Sequence, residues 1–160
     1  KVPKPKNGRR VLVITNGGGY GILSTDALIK NGLKLAELSK EGTQALSKAL
    51  PRVAAHNPID LLGDANTESY RIALEIGAKD KNVDAMLVIV LYQTPLVGTD
   101  VVDVIIEAND MNAKPLIVVS AGGEFTEVLS KDVESNNVPT YSFPDNAVLA
   151  LKHLFEFYEK

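Results

Sequence analysis

The sequence predicts an α/β fold, built on a doubly wound parallel sheet with helices on both faces. Three observations carry this. The apolar runs Val11–Thr15, Asp84–Leu91 and Leu116–Ser120 lack polar alternation, as strands do when both faces are covered. Helical patterns lie between them, so strand and helix alternate along the chain. Two strands run into glycine turns, Asn16–Gly21 and Ala121–Gly123, at the carboxyl ends where such sheets gather ligands. The set predicts a flavodoxin-like sheet of five parallel strands. It occupies residues 10–160 as a single domain, behind a Lys/Pro-rich linker at 1–9. The chain does not open with Met and is expected to be a piece of a longer protein.

In order, Val11–Thr15 is the first strand. A helix follows over Tyr20–Asn31, with Ile22, Leu23, Leu28 and Ile29 at helical spacing and Asn31-Gly32 as its stop. Leu33–Leu38 is a short second strand. Ser39 caps a helix over Lys40–Leu50 with Leu46, Ala49 and Leu50 on its apolar side, and Pro51 closes it. Arg52–Asn66 reads as loop, because Asn57-Pro58, Gly63 and the acids Asp60 and Asp64 are turn formers. Thr67 and Tyr70 make a poor capping box for the next helix, which runs through Lys79 with Glu68 in its first turn. Asp84–Leu91 is the strongest strand. The loop Tyr92–Gly98 leads to a helix over Asp100–Asn112, then strand Leu116–Ser120, helix Glu124–Ser135 and strand Val138–Ser142. Pro144 starts the final helix, Asp145–Tyr158, whose stripe of Leu151, Leu154, Phe155 and Tyr158 packs on the core.

Composition narrows the function classes. Net charge is -3, a weak argument against nucleic acid or an anionic membrane as partner. No apolar run approaches the ~18 residues of a membrane span, and the first residues lack the apolar core of a signal peptide. The absence of cysteine removes disulfides, thiol catalysis and Cys-based metal sites, and fits a cytoplasmic protein. Only two histidines are present. His56 lies in the loop before Asn57-Pro58, and His153 turns away from the apolar stripe of the last helix. Neither assembles a Ser/His/Asp triad or a multi-His metal site, so no catalytic residue and no metal ligand is assigned.

The glycine turn is the candidate site. A dinucleotide fingerprint fails, since Ile22 stands where the third glycine is needed after Gly17 and Gly19. Glu37, about 20 residues on, supplies the acid of that fingerprint, but without its glycines. A P-loop fails for want of Gly-Lys-Ser/Thr. What remains is a helix N-terminus able to hold a small anion on backbone N–H groups; a tight turn without a ligand remains the alternative. Asp60 and Asp64 suit either a site or a turn. Gln93 and Thr94 follow the central strand, where α/β sites collect polar groups.

The run Val13-Ile14-Thr15-Asn16-Gly17-Gly18-Gly19-Tyr20-Gly21 with Ser24-Thr25-Asp26-Ala27-Leu28 resembles the NDP-forming acyl-CoA synthetases. Leu35–Ser39, Leu50-Pro51, Asn57–Ala65 and Asn82–Val88 extend the resemblance over nearly the whole chain. Enzymes of that family interconvert acyl-CoA, ADP and phosphate with free acid, ATP and CoA, through an acyl phosphate and a phosphohistidine carried on a mobile loop. The resemblance therefore implies a parent enzyme that uses ADP/ATP, Mg2+, CoA and phosphate. It implies partners too: His-bearing, CoA-binding and ATP-grasp domains or subunits, within an oligomer. The family's histidine loop is absent here, so the chain resembles the flavodoxin-like domain without the histidine. Alone it would be inactive and would hold no cofactor tightly.

In the family that domain offers a "power helix" N-terminus to the phosphohistidine phosphate. Carried over, Asn16, Gly17, Gly18, Gly19, Tyr20 and Gly21 would form the phosphate-binding turn, with Asp60 and Gln93 in support. The family often has Pro where Tyr20 stands, which restores an N–H and adds a ring to the rim. A stand-alone domain binding a phosphorylated ligand, regulatory in role, is the rival reading. An FMN protein is a third, poorly served by aromatics beyond Tyr20 and Tyr92.

Overall fold

The computed structural model describes residues 3–6 and 8–159. Its elements are β1 (Arg10–Thr15), α1 (Gly18–Lys30), β2 (Lys34–Leu35), α2 (Lys40–Ala49), β3 (Ile59–Asp60), α3 (Thr67–Lys79), β4 (Ala85–Ile89), α4 (Val101–Asp110), β5 (Leu116–Val119), α5 (Glu124–Ser135), β6 (Thr140–Tyr141) and α6 (Pro144–Tyr158). All strand pairs are parallel, in the order β2-β1-β4-β5-β6 with β3 added to β1. With β3 set aside this is the flavodoxin order.

Alternation along β1, β4 and β5 divides the core into two layers. Leu12, Ile14, Met86, Val88, Leu116 and Val118 face one layer, which α2, α3, α4 and α5 complete through Leu46, Leu74, Ile105 and Leu129. Val11, Val13, Leu87, Ile89, Ile117 and Val119 face the other, closed by Leu28 of α1 and by Val148, Leu151 and Phe155 of α6. Both faces of the central strands are therefore apolar, the condition read from their sequences.

Several expected boundaries move for physical reasons. The helix expected from Tyr20 begins at Gly18, because first-turn N–H groups need no helical partner and glycine is tolerated there. Its inward face consists of Gly21, Ser24, Ala27 and Leu28, while Ile22, Leu23 and Ile29 are exposed. Small residues let α1 lie close on the sheet: a Cβ at Gly21 would stand 3.0 Å from Thr15 Cγ2. On α2 only Leu46 is buried, and Ala49 faces solvent. The capping box of α3 lies one residue earlier than Thr67/Tyr70, with Asn66 Oδ1 accepting from Ser69 N and Ser69 Oγ accepting from Asn66 N. On α6, Leu151 and Phe155 are buried, Leu154 and Tyr158 half-buried, and His153 exposed.

The stretch expected to be pure loop contains β3. Its pairing with Ile14 and Thr15 buries Ile59 and Leu61 while Asp60 and Leu62 stay half-exposed. Between β2 and β3 the edge of β1 is completed by a side chain. Asn57 Oδ1 accepts from Val13 N at 3.0 Å, and Asn57 Nδ2 donates to Val11 O at 2.8 Å and Ala36 O at 3.0 Å. Of the stretch read as linker, residues 1, 2 and 7 lie outside the described residues; Pro5 is buried, and Lys4 Nζ stands 5.7 Å over the Tyr158 ring.

The amino end of the sheet is closed by paired charges. Arg10 forms a two-pronged pair with the buried Asp84, Nε to Oδ2 at 2.8 Å and Nη2 to Oδ1 at 2.9 Å. Burial alone would raise the Asp84 carboxyl, but the Arg10 bonds outweigh it and hold it below the ordinary carboxylate range. Lys114, 6% exposed, donates its Nζ to Gly77 O at 2.8 Å and to Asp80 O, stitching β5 to the end of α3.

Burial pulls the Lys114 ammonium down to about 8, against the pull of Asp80. The unfolded chain then binds more protons than the folded one above pH 8, so stability rises with pH until tyrosines intervene. Burial raises Tyr92 to about 12 and Tyr70 well above its ordinary value, which reverses the slope above about pH 10. Urea unfolding should show stability climbing from pH 8 to 10 by at most about 1.4 kcal/mol per pH unit, and Lys114→Met should flatten that climb.

Candidate functional site

The carboxyl end of β1 is held by the residues just after it. Thr15, fully buried, uses its hydroxyl to accept from Gly17 N and donate to Gly17 O, both at 2.9 Å. Asn16, 4% exposed, spends its carboxamide inward: Nδ2 donates to Leu91 O at 3.0 Å and Thr94 Oγ1 at 2.9 Å, and Oδ1 accepts from Leu91 N at 2.9 Å. The Asn16 side chain thus ties the end of β1 to the loop after β4 and presents no free polar group to a ligand. Gly17 presses on Leu91, whose Cδ1 occupies the place a Cβ would need.

From this clamp α1 departs with Gly17 as N-cap and no side-chain cap. The first helical bond is Gly21 N to Gly17 O at 3.1 Å. The N–H groups of Gly18, Gly19 and Tyr20 precede it and have no helical acceptor. The other helices carry a carboxylate in their first turn: Glu41, Glu68, Asp103, Glu124 and Asp145. In α1 there is none. The partial positive charge of its N-terminus is left uncompensated within the helix.

The nearest negative group arrives from β3. A Cβ at Gly18 would lie 2.9 Å from Asp60 Oδ2, while Asp60 Oδ1 accepts from Leu62 N at 2.9 Å. Leu62 takes φ 69°, a left-handed turn that points its N–H back at Asp60. At Gly19 a Cβ would meet nothing within 4 Å, so the space before the helix is open there. Tyr20 is half-buried, and its ring stands 6.2 Å from that of Phe143 at 59°.

Gln93 lies farther along the edge. Its Nε2 donates to Ala121 O at 2.9 Å and, with Thr126, closes the space beside Gly122. The structure thus gathers Gly17, Gly18, Gly19, Tyr20, Gly21 and Asp60 at one helix terminus, turns the Asn16 side chain away from it, and places Gln93 at the second glycine turn. His56 and His153 are both exposed, and Asp64 pairs with Arg52 at 2.5 Å. Sequence reasoning missed Thr15, Asn57 and Phe143. Phe143 has a legible signal, an aromatic between a strand and a helix-starting Pro144 at the sheet's carboxyl edge. Among the described residues no cluster of three or more acidic or histidine side chains converges as a metal site, and no helix is long and apolar enough to cross a membrane.

Comparison with known proteins gives a consistent picture. The Ligase-CoA domain family matches residues 11–155. The alpha subunit of ADP-forming acetate–CoA ligase II from Pyrococcus furiosus is 35% identical over 153 residues, covering 92% of this chain and 33% of that protein. The ADP-forming acetate–CoA ligase of Methanocaldococcus jannaschii is 35% identical over 150 residues, 91% of this chain and 21% of that one. Among solved structures, an acetyl-coenzyme A synthetase of Ca. Korarchaeum cryptofilum, in complex with phosphate and ADP, superposes with a TM-score of 0.87 at 29% identity, over 98% of this chain and 34% of that one. The chain spans about a third or less of the length of the curated relatives it matches.

The turn's roles separate by mutation. Asn16→Ala leaves Leu91 N without its acceptor and removes one donor to Leu91 O, which keeps Thr94, and should cost about 2 to 4 kcal/mol. Gly19→Ala places a methyl in open space within a helix and should raise stability by about 0.5 to 1 kcal/mol. Urea titration of the two variants checks both values.

Proposed function

The chain belongs to the Ligase-CoA domain family, and on that premise we propose that it serves an ADP-forming acid–CoA ligase as the domain that receives phosphate at the N-terminus of α1. The parent reaction is acyl-CoA + ADP + phosphate = acid + ATP + CoA. The observation that carries the reading is the opening of α1: three N–H groups without helical acceptors, no cap and no acid in the first turn, at the carboxyl end of β1. Donors fixed by the fold stabilise phosphoryl charge without reorganising, and the helix dipole adds to them. Such a terminus requires no base, in keeping with a chain whose two histidines are exposed.

In this reading Gly17, Gly18, Gly19, Tyr20 and Gly21 form the phosphate-binding turn. Asn16 works from behind by fixing where the helix starts, not by touching the ligand. Asp60 borders the site, and a carboxylate beside bound phosphate is a like-charge neighbour that favours release over storage. Gln93 braces the second glycine turn. The phosphate arrives on a histidine from another domain, the relation implied by the resemblance to NDP-forming synthetases, in which α1 is the power helix. ADP/ATP, Mg2+ and CoA belong to His-bearing, CoA-binding and ATP-grasp partners in a cytoplasmic oligomer. That the relatives are ligases and ligase subunits favours this over a stand-alone regulatory domain.

Gly18→Val in the assembled ligase tests the assignment. The added side chain meets Asp60 and blocks the donors, so turnover should fall about 100-fold while the melting transition of the purified enzyme persists. Unchanged turnover in a folded variant would overturn the role of α1.

A further inference from the structure

We propose that the cavity between α5 and the end of β6 is a binding site for an uncharged polyhydroxy ligand, a sugar or the ribose of a nucleoside. The inference does not rest on the phosphate reading above. The cavity measures about 420 Å³, within the range of small-molecule sites. Its floor is the second glycine turn, where Ser120 leads into Ala121 and Gly122. One wall is a face of α5, because Glu127, Ser130, Lys131 and Glu134 recur at the spacing that sets side chains together on one side of a helix. The opposite wall is the end of β6 and the turn after it, residues 140–143.

A hydroxyl at the floor lacks a partner. Thr126 is 3% exposed and borders the cavity, and its Oγ1 bonds no group among the described residues. Buried hydroxyls are ordinarily bonded, so this one is kept for a group that enters the cavity. Gly122 makes room for it: a Cβ there would stand 2.2 Å from both Thr126 Oγ1 and Gln93 Nε2. Gln93 Nε2 spends one N–H on Ala121 O and has a second. The rest of the lining selects the ligand class. Ser130, Thr140, Tyr141 and Ser142 add further hydroxyls, groups that donate and accept and so match a ligand that does both. Glu124 and Glu127, in the first turn of α5, oppose an anion, and Lys131 opposes a cation. Carboxylates of this kind accept from ribose hydroxyls in nucleotide sites. Phe143, 54% exposed, offers a flat apolar face to a sugar ring or a base.

The test is an amide NMR titration of the full chain with ribose, glucose, adenosine and adenosine monophosphate at millimolar concentration. One or more of the three uncharged probes should shift the amides of Gly122, Thr126 and Ser130. Thr126→Val keeps the shape and removes the hydroxyl. It should weaken that binding about 3- to 10-fold without lowering the melting temperature, whereas a hydroxyl that served folding alone would lower it. Binding of adenosine alone, weakened in Phe143→Ala, identifies a nucleoside. Binding of ribose or glucose as well identifies a sugar. Absence of shifts with all three uncharged probes, or undiminished affinity in Thr126→Val, overturns the site. Tighter binding of adenosine monophosphate than of adenosine overturns the uncharged assignment.

Discussion

The carboxyl edge of the sheet depends on one buried carboxamide. Asn16 bonds both backbone groups of Leu91 and the hydroxyl of Thr94, so the ends of β1 and β4 cannot separate. Because α1 begins two residues later, the same amide fixes where the helix axis starts and where its first N–H groups aim. A residue that would be assigned to ligand contact by motif alone does its work from within the protein. The donors nearest the open space are the backbone of Gly18 and Gly19, where there is no side chain to cover them.

The two ends of the sheet are treated oppositely. At the amino end Arg10 and Asp84 are matched, and Lys114 is spent on two carbonyls. Asp80 accepts from Ser39 N and Asn82 N, closing the start of α2. At the carboxyl end α1 is left uncapped. The fold thus satisfies its polar groups on one side and leaves the first N–H groups of α1 without a side-chain cap on the other. The cost of an uncapped helix, about 1 kcal/mol, is small against the apolar layers that hold α1 on the sheet.

Most of the architecture was legible because strong signals agree. Uniformly apolar β4 and β5 require cover on both faces, and the alternation of strand and helix then requires parallel pairing. The legible part of the site was the glycine run after β1. Illegible parts were those where a short-range signal competes with a tertiary one. Gly18 and Gly19 look unlike a helix, yet the first turn tolerates them. Ile22, Leu23 and Ile29 look like a buried face, yet α1 turns small residues inward to approach the sheet. β3 was hidden because Asn57-Pro58 and Gly63 dominate a two-residue strand whose partner is distant in sequence. The inward turn of Asn16 has no sequence signal, since its partners lie 75 and 78 positions away.

The Asn57 carboxamide has a consequence for dimensional tolerance. It stands in for a peptide group along β1, bonding Val11 O and Val13 N between the stretches paired by β2 and β3. The edge of β1 is thus a ruler read three times: by a strand, by a side chain and by a second strand. Asn57, three residues before Asp60, is pegged to the same strand that ends at Thr15, just before Asn16. The carboxylate and the helix terminus it borders are therefore measured from one origin. The segment between β2 and Asn57 can change in length without altering that distance, whereas a single residue added within β1 would miscalibrate both sides of the site at once.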